Sequence, residues 1–211
     1  MKRMNGLALL TMICGLVLSS CVKDPMRDMT EEESRIYITN RDSTVNFNSY
    51  KTYSIVDSVS LIDNNRFAGT EANAWDVQVI NAIQASMNAR GYTRVARTQS
   101  PDLGINVSRI YNTNTNVVDL SDYYNGYNGY YDPYYWGYGG YDYYFPVYGL
   151  YETTEAALSV DMADLKNAQG NGTIRVIWNG TVRGSGIFRN ENVSSQVQAL
   201  FEQSPYLRTT N

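Results

Sequence analysis

Histidine is absent from this chain. Its absence removes Ser-His-Asp triads, Cys-His dyads, imidazole acid–base catalysis and the common zinc sites. Cysteine occurs twice, at positions 14 and 21, so beyond residue 21 no disulfide or thiolate metal site can form. Carboxylates, Ser–Lys pairs and tyrosine are the chemistries left. Long apolar runs are also scarce. The longest extends from Gly6 to Leu18, short of the roughly 20 residues a membrane-spanning helix needs. Seventeen basic residues against 21 acidic ones leave a net charge of −4, with no cationic surplus for nucleic acid. Lys and Arg vanish altogether between Ile110 and Leu165, a stretch that holds eight Asp or Glu. Neither a cofactor nor a metal is expected.

The apolar run is preceded by Lys2 and Arg3 and followed by Leu18-Ser19-Ser20-Cys21. A basic start, a short apolar core and small residues before a cysteine resemble the signal peptide and lipobox of bacterial lipoproteins. That resemblance implies removal of residues 1–20 and acylation of Cys21 by diacylglycerol and a further chain such as palmitate. Several chains, at about 0.8 kcal/mol per buried CH₂, anchor permanently. Val22 stands where an Asp would signal inner-membrane retention, which implies the outer membrane, on its periplasmic side or at the cell surface. Lys23-Asp24 loosely resembles the Lys-acid surface-display signal of some Gram-negative lineages. The remaining 191 residues carry 15 basic and 21 acidic side chains. Residues 21–34 are polar and acidic, and read as a flexible tether reaching about 45 Å at most, at ~3.3–3.6 Å per residue.

Residues 35–207 read as a single domain. Arg35–Thr39 and Phe47–Val56 have strand composition, and 57–72 reads as a loop. A helix is predicted over 73–90, capped by Asn73 and ended by Gly91. Its apolar stripe is Val77, Ile80, Ile83 and Met87, with Asp76 off the stripe. Tyr92–Ala96 returns as a strand. Leu103, Ile105 and Val107 alternate with Gly104, Asn106 and Ser108, the pattern of a half-buried strand. Leu158, Val160 and Met162 alternate again, Gly170-Asn171-Gly172 reads as a hairpin turn, and Thr173–Val182 is the next strand. The chain closes with a helix over 190–204 striped by Val193, Val197, Leu200 and Phe201. The predicted class is α+β: a two-layer sandwich of mainly antiparallel sheet, covered on one face by two helices.

Phe47-x-x-Tyr50-Lys51-Thr52-Tyr53, Arg90-Gly91-Tyr92 after a helix, Pro101-Asp102-Leu103, an aromatic–glycine loop and Ile177-Trp178-Asn179-Gly180 occur in that order. Together they resemble the DUF4136 family of Gram-negative lipoproteins, over about residues 36–206. The resemblance supports the fold and the envelope address and brings no mechanism.

Residues 121–151 form a long insert with 13 of the 19 tyrosines, Trp136, Phe145 and six glycines. Tyrosine presents a flat apolar face and a hydrogen-bonding tip at little entropic cost, which suits a contact surface. Tyr130, Tyr131, Tyr134, Tyr135, Trp136, Tyr141, Tyr143, Tyr144 and Phe145 are the candidate binding residues. The competing reading is a long surface loop with no ligand. Asp161 and Asp164, with Glu152 and Glu155 upstream, are the only pairing that suggests carboxylate hydrolysis. Alternation puts Asp161 on the solvent face. Asp42-Ser43 and Asp57-Ser58 resemble short O-glycosylation sites of some Gram-negative secretory pathways. The functional expectation is a non-catalytic, outer-membrane-anchored binding module for glycan, peptidoglycan or an envelope protein. An assembly partner of an envelope complex and a cryptic carboxylate hydrolase are the alternatives.

Overall fold

The computed structural model describes residues 29–63, 66–111, 131–145 and 156–209. Cys21, Tyr130, Glu152 and Glu155 lie outside the described residues. The fold is α+β, a nine-stranded, mostly antiparallel mixed sheet with three helices packed against it. The strands are β1 (Ile36–Arg41), β2 (Thr52–Ile55), β3 (Val59–Asp63), β4 (Arg66–Glu71), β5 (Thr93–Arg94), β6 (Leu103–Tyr111), β7 (Asp142–Tyr144), β8 (Ala157–Asp164) and β9 (Thr173–Arg183). The helices are α1 (Ala74–Ala89), α2 (Ala168–Asn171) and α3 (Val193–Glu202).

The spine of the sheet runs β1-β9-β8-β6-β2-β5, with β3 and its partner β4 beside the far half of β6, and β7 beside the start of β9. β6, β8, β9 and β1 pair antiparallel, and of these only β8 and β9 are joined by a short connection. β2 instead runs parallel to β5 and β6, and β3 parallel to β6. Parallel neighbours need a long crossover. The β3–β4 hairpin and α1 supply it. The stretch 57–72, expected as a loop, is that hairpin, with a register shift at Leu61/Ile62 opposite Gly69, whose φ of 117° suits glycine. The Gly170–Gly172 turn is the end of the short α2, with Gly172 as a left-handed cap.

α1 starts where its sequence dictates. The Asn73 side chain accepts from the backbone N–H groups of Trp75 (2.9 Å) and Asp76 (3.0 Å), and Asp76 accepts from Asn73 N (2.9 Å). Gly91 follows at φ 88°. The buried face differs from the expected stripe: Trp75, Asp76, Val79, Ile80, Ile83 and Met87 point inward, while Val77 is 44% exposed. Asp76 is fully buried because Arg109 on β6 reaches it, Nε to Oδ1 at 3.0 Å. Burial raises the Asp76 pKa, against the lowering effects of the Asn73 backbone bond and Arg109. α3 packs as its stripe predicts, with Val193, Val197, Leu200 and Phe201 all buried.

β6 is buried along both faces from Leu103 to Ile110. The expected half-buried strand would leave the face of Gly104, Asn106 and Ser108 in water. Here the helices cover one face and the aromatic segment covers the other.

Candidate functional site

The described part of the tyrosine segment, residues 131–145, is ordered by local chemistry. Asp132 caps a short 3₁₀ turn over Pro133–Trp136, accepting from Tyr134 N at 2.9 Å, and Gly137 closes it at φ 86°. The chain then pairs with β9 through β7.

The segment divides into rings that fill the core and rings that meet solvent. Tyr131, Trp136, Tyr143 and Phe145 are each 5% exposed or less. These four were expected on a contact surface, and the structure places them in the core instead. The reason is the polar, small-residue face of β6, β8 and β9, which is flat enough for rings to lie on. Gly104 shows how close they come: a Cβ there would meet the Trp136 ring and Leu165 at 3.0 Å. Tyr134 and Tyr144 are exposed, and Tyr135 and Tyr141 are half-buried. Tyr144 lies under Arg175, and Tyr141 packs on Tyr138.

Beneath Tyr131 two polar rows cross the sheet. Asn106, Asp161 and Asn179 form one; Ser60, Ser108, Ser159 and Thr181 form the other. The Tyr131 hydroxyl bonds Asp161 Oδ2 at 2.6 Å and shares a hydrogen bond with Ser108 Oγ at 3.1 Å. Asn179 Nδ2 donates to Asp161 Oδ1 (2.6 Å) and Ser159 Oγ (3.0 Å), and Thr181 Oγ1 donates to Asn179 Oδ1 (3.2 Å). Burial drives the Tyr143 pKa far above its usual value, partly opposed by Asn106 and Trp136.

Asp161 is therefore not a solvated residue, as alternation suggested, but a fully buried one. Asp164 is buried too, on the opposite face of β8. It accepts from the Tyr50 hydroxyl (2.9 Å), Asn167 Nδ2 (2.8 Å) and Asn167 N (3.1 Å). Two carboxylates on opposite faces of one strand cannot flank one glycosidic bond.

Open space lies at the other side of the segment. Tyr135 forms one wall of a cleft of about 500 Å³ against β2, β5 and the 3₁₀ turn Arg97–Gln99. Its polar lining comprises Ser54, Asp57, Arg94, Arg97 and Gln99. Arg97 lies over the Tyr135 ring, 4.3 Å from its centroid, and Nη1 donates to the Tyr135 carbonyl. Tyr135 also meets Trp136 in a T-shaped contact, with ring centroids 4.8 Å apart. Arg94 Nη1 donates to Gln84 Oε1 (3.2 Å), and Gln99 Oε1 accepts from Ala96 N (2.9 Å). Ser100 ends the turn at φ 50°, an uncommon left-handed serine. Of the aromatic candidates only Tyr135 lines this cleft, and Asp57 of the Asp57-Ser58 pattern lines it too. The arginines were missed because nothing local marks them; Arg94 falls within the expected strand Tyr92–Ala96 and Arg97 just beyond it. A second cleft of similar size lies between the end of α1 and the C-terminal residues. Arg90 there is already engaged, donating to Phe201 O at 2.7 Å and stacked on the Phe201 ring.

The profile of DUF4136, a domain of unknown function, matches residues 38–206. The chain belongs to the DUF4136 family. A crystal structure of a DUF4136 protein from Bacteroides thetaiotaomicron is similar over 84% of this chain and 99% of that one, with 28% identity and a TM-score of 0.69. A PelC dodecamer from Paraburkholderia phytofirmans aligns over 84% of this chain and 99% of that one, at 12% identity and a TM-score of 0.40. A PDZ domain protein from Parabacteroides distasonis aligns over 84% of this chain and 41% of that one, at 17% identity and 0.45. A comparison with curated proteins finds no match.

Proposed function

We propose that this DUF4136 protein is a non-catalytic binding module of the bacterial envelope, lipid-anchored at Cys21 in the outer membrane, and that it holds glycan in the Tyr135 cleft. One observation carries the reading: the segment turns four aromatic residues into the core and, between them, sets Tyr135 at the wall of a cleft lined with hydrogen-bonding side chains. A volume of about 500 Å³ falls within the ~300–1,000 Å³ range of small-ligand sites. An aromatic wall with amide, hydroxyl, guanidinium and carboxylate groups around it matches a sugar's apolar CH faces and its hydroxyls. The Leu18-Ser19-Ser20-Cys21 pattern supports the anchor.

Deleting the whole segment would open the core, so single substitutions test the site. Binding of the wild type and of Tyr135→Ala to a glycan array is the measurement, with thermal midpoints recorded beside it. The expected result is glycan capture by the wild type, at least about tenfold weaker in the variant, with the fold retained. Unchanged binding removes the cleft from consideration, and whole-cell crosslinking to one dominant protein without glycan capture favours an assembly role instead. Cys21→Ser should abolish palmitate labelling and release the protein from the membrane fraction.

A further inference from the structure

Two arginines, Arg94 and Arg97, line the Tyr135 cleft beside one carboxylate, Asp57. Arginine presents a planar fork of N–H donors that matches a carboxylate in a bidentate geometry. Arg97 is held in place before any ligand arrives. Its charge sits on the Tyr135 ring face, and one N–H is tied to the Tyr135 carbonyl. The rest of its guanidinium makes no further hydrogen bond among the described residues. Arg94 is tethered in the same manner, by a single bond to Gln84. Gln99 has its carbonyl oxygen occupied by Ala96 N, so its amide NH₂ is the donor left for a ligand.

We propose that the cleft selects carboxylate-bearing sugars, with Arg94 and Arg97 taking the carboxylate. This rests on the reading of the cleft as a glycan site and adds its ligand class. Two guanidinium groups outnumber the one carboxylate in the lining, so the cleft favours an anion. A free phosphate dianion has no hydroxyl-rich body to meet the rest of the lining. A uronic acid brings one charge for the arginines and several hydroxyls for Gln99 and Ser54 at the same time. The carbonyl oxygens of Tyr135 and Gln99 are already engaged, so what the cleft offers is mainly N–H donors, as an anion requires.

The test is a titration of the full-length acylated protein in detergent with oligogalacturonate and oligoglucuronate, their methyl esters, and inorganic phosphate. The acid forms should bind at least about tenfold more tightly than the esters, and weaken as salt is raised. Arg94→Gln should erase most of that preference, and Arg97→Gln likewise. Because Arg97 also braces Tyr135, Arg94→Gln is the deciding variant. Equal binding of acid and ester, lost in Tyr135→Ala, overturns the carboxylate selection and leaves the glycan reading intact. Phosphate binding as tight as the uronate shows a simple anion site and overturns it as well. Absence of binding to every sugar on the panel overturns both.

Discussion

Tyr131 and Tyr135 are four residues apart and have opposite fates. Tyr131 is 2% exposed and puts its hydroxyl onto Asp161 and Ser108, whereas Tyr135 faces the cleft. Removing a buried hydroxyl strips a partner from a buried carboxyl group and a buried serine. Tyr131→Phe is expected to cost about 1–3 kcal/mol, seen as a lower urea midpoint, with glycan affinity unchanged. Tyr135→Ala is expected to show the reverse pattern. A Tyr131→Phe protein as stable as wild type would mean that these bonds contribute nothing net. Composition made the segment conspicuous but could not divide it, since tyrosine serves a core and a surface equally well. The division is made by Gly104, Ser108 and Asp161, which lie 23 or more positions from Tyr131 in sequence and become its floor only when β6 and β8 pair. Asp76 was misplaced for the same reason. Its partner Arg109 is 33 residues away, and no helical periodicity contains that contact.

At the scale of elements, the ends of α1 were written in Asn73 and Gly91, and the α3 stripe in its own periodicity, because caps and stripes are local. Parallel pairing of β2 with β6 was not, since a crossover is a property of the connection and not of either strand. The contact between α3 and β9 depends on one glycine. A Cβ on Gly180 would stand 2.4 Å from the Trp178 ring and 3.2 Å from Leu200 of α3. Trp178 cannot swing away: it is fully buried, packs on Phe201 with centroids 5.8 Å apart, and donates from Nε1 to Ser204 Oγ at 2.9 Å. Gly180→Ala is therefore expected to lose about 1–3 kcal/mol by overpacking. Measured by chemical unfolding, that loss should shrink when Leu200→Ala is added, because the second change makes room. Additive losses would place the strain elsewhere.

Across the whole molecule the first described residues and the cleft lie at opposite edges of the sheet. The described chain enters beside β1, where Glu31 pairs with Arg189 at 2.8 Å, and the cleft sits at β2 and β5. Five strand spacings of about 4.8 Å separate those edges, roughly 24 Å. A ligand in the cleft thus meets the side of the domain away from Glu31 and β1. What joins the two edges is a core closed from both faces by aromatic rings, and much of it is tyrosine. Burial raises the pKa of Tyr50, Tyr53, Tyr92, Tyr111, Tyr138 and Tyr143 alike, Tyr92 to about 12. Asp164 beside Tyr50 adds to the rise there. In each case the folded pKa exceeds the unfolded value of about 10, so the fold favours the neutral phenol. The stability tied to these groups is complete below pH ~10 and is lost as the pH climbs through the raised values. Tyrosinate absorbance in the native protein should lag that of the urea-unfolded chain. The lagging rings should then ionise together, at the pH where the far-ultraviolet circular dichroism collapses. If every tyrosine titrated along the unfolded curve while the dichroism held, these rings would be in water, and the closed core with its single aromatic wall left for ligand would be wrong.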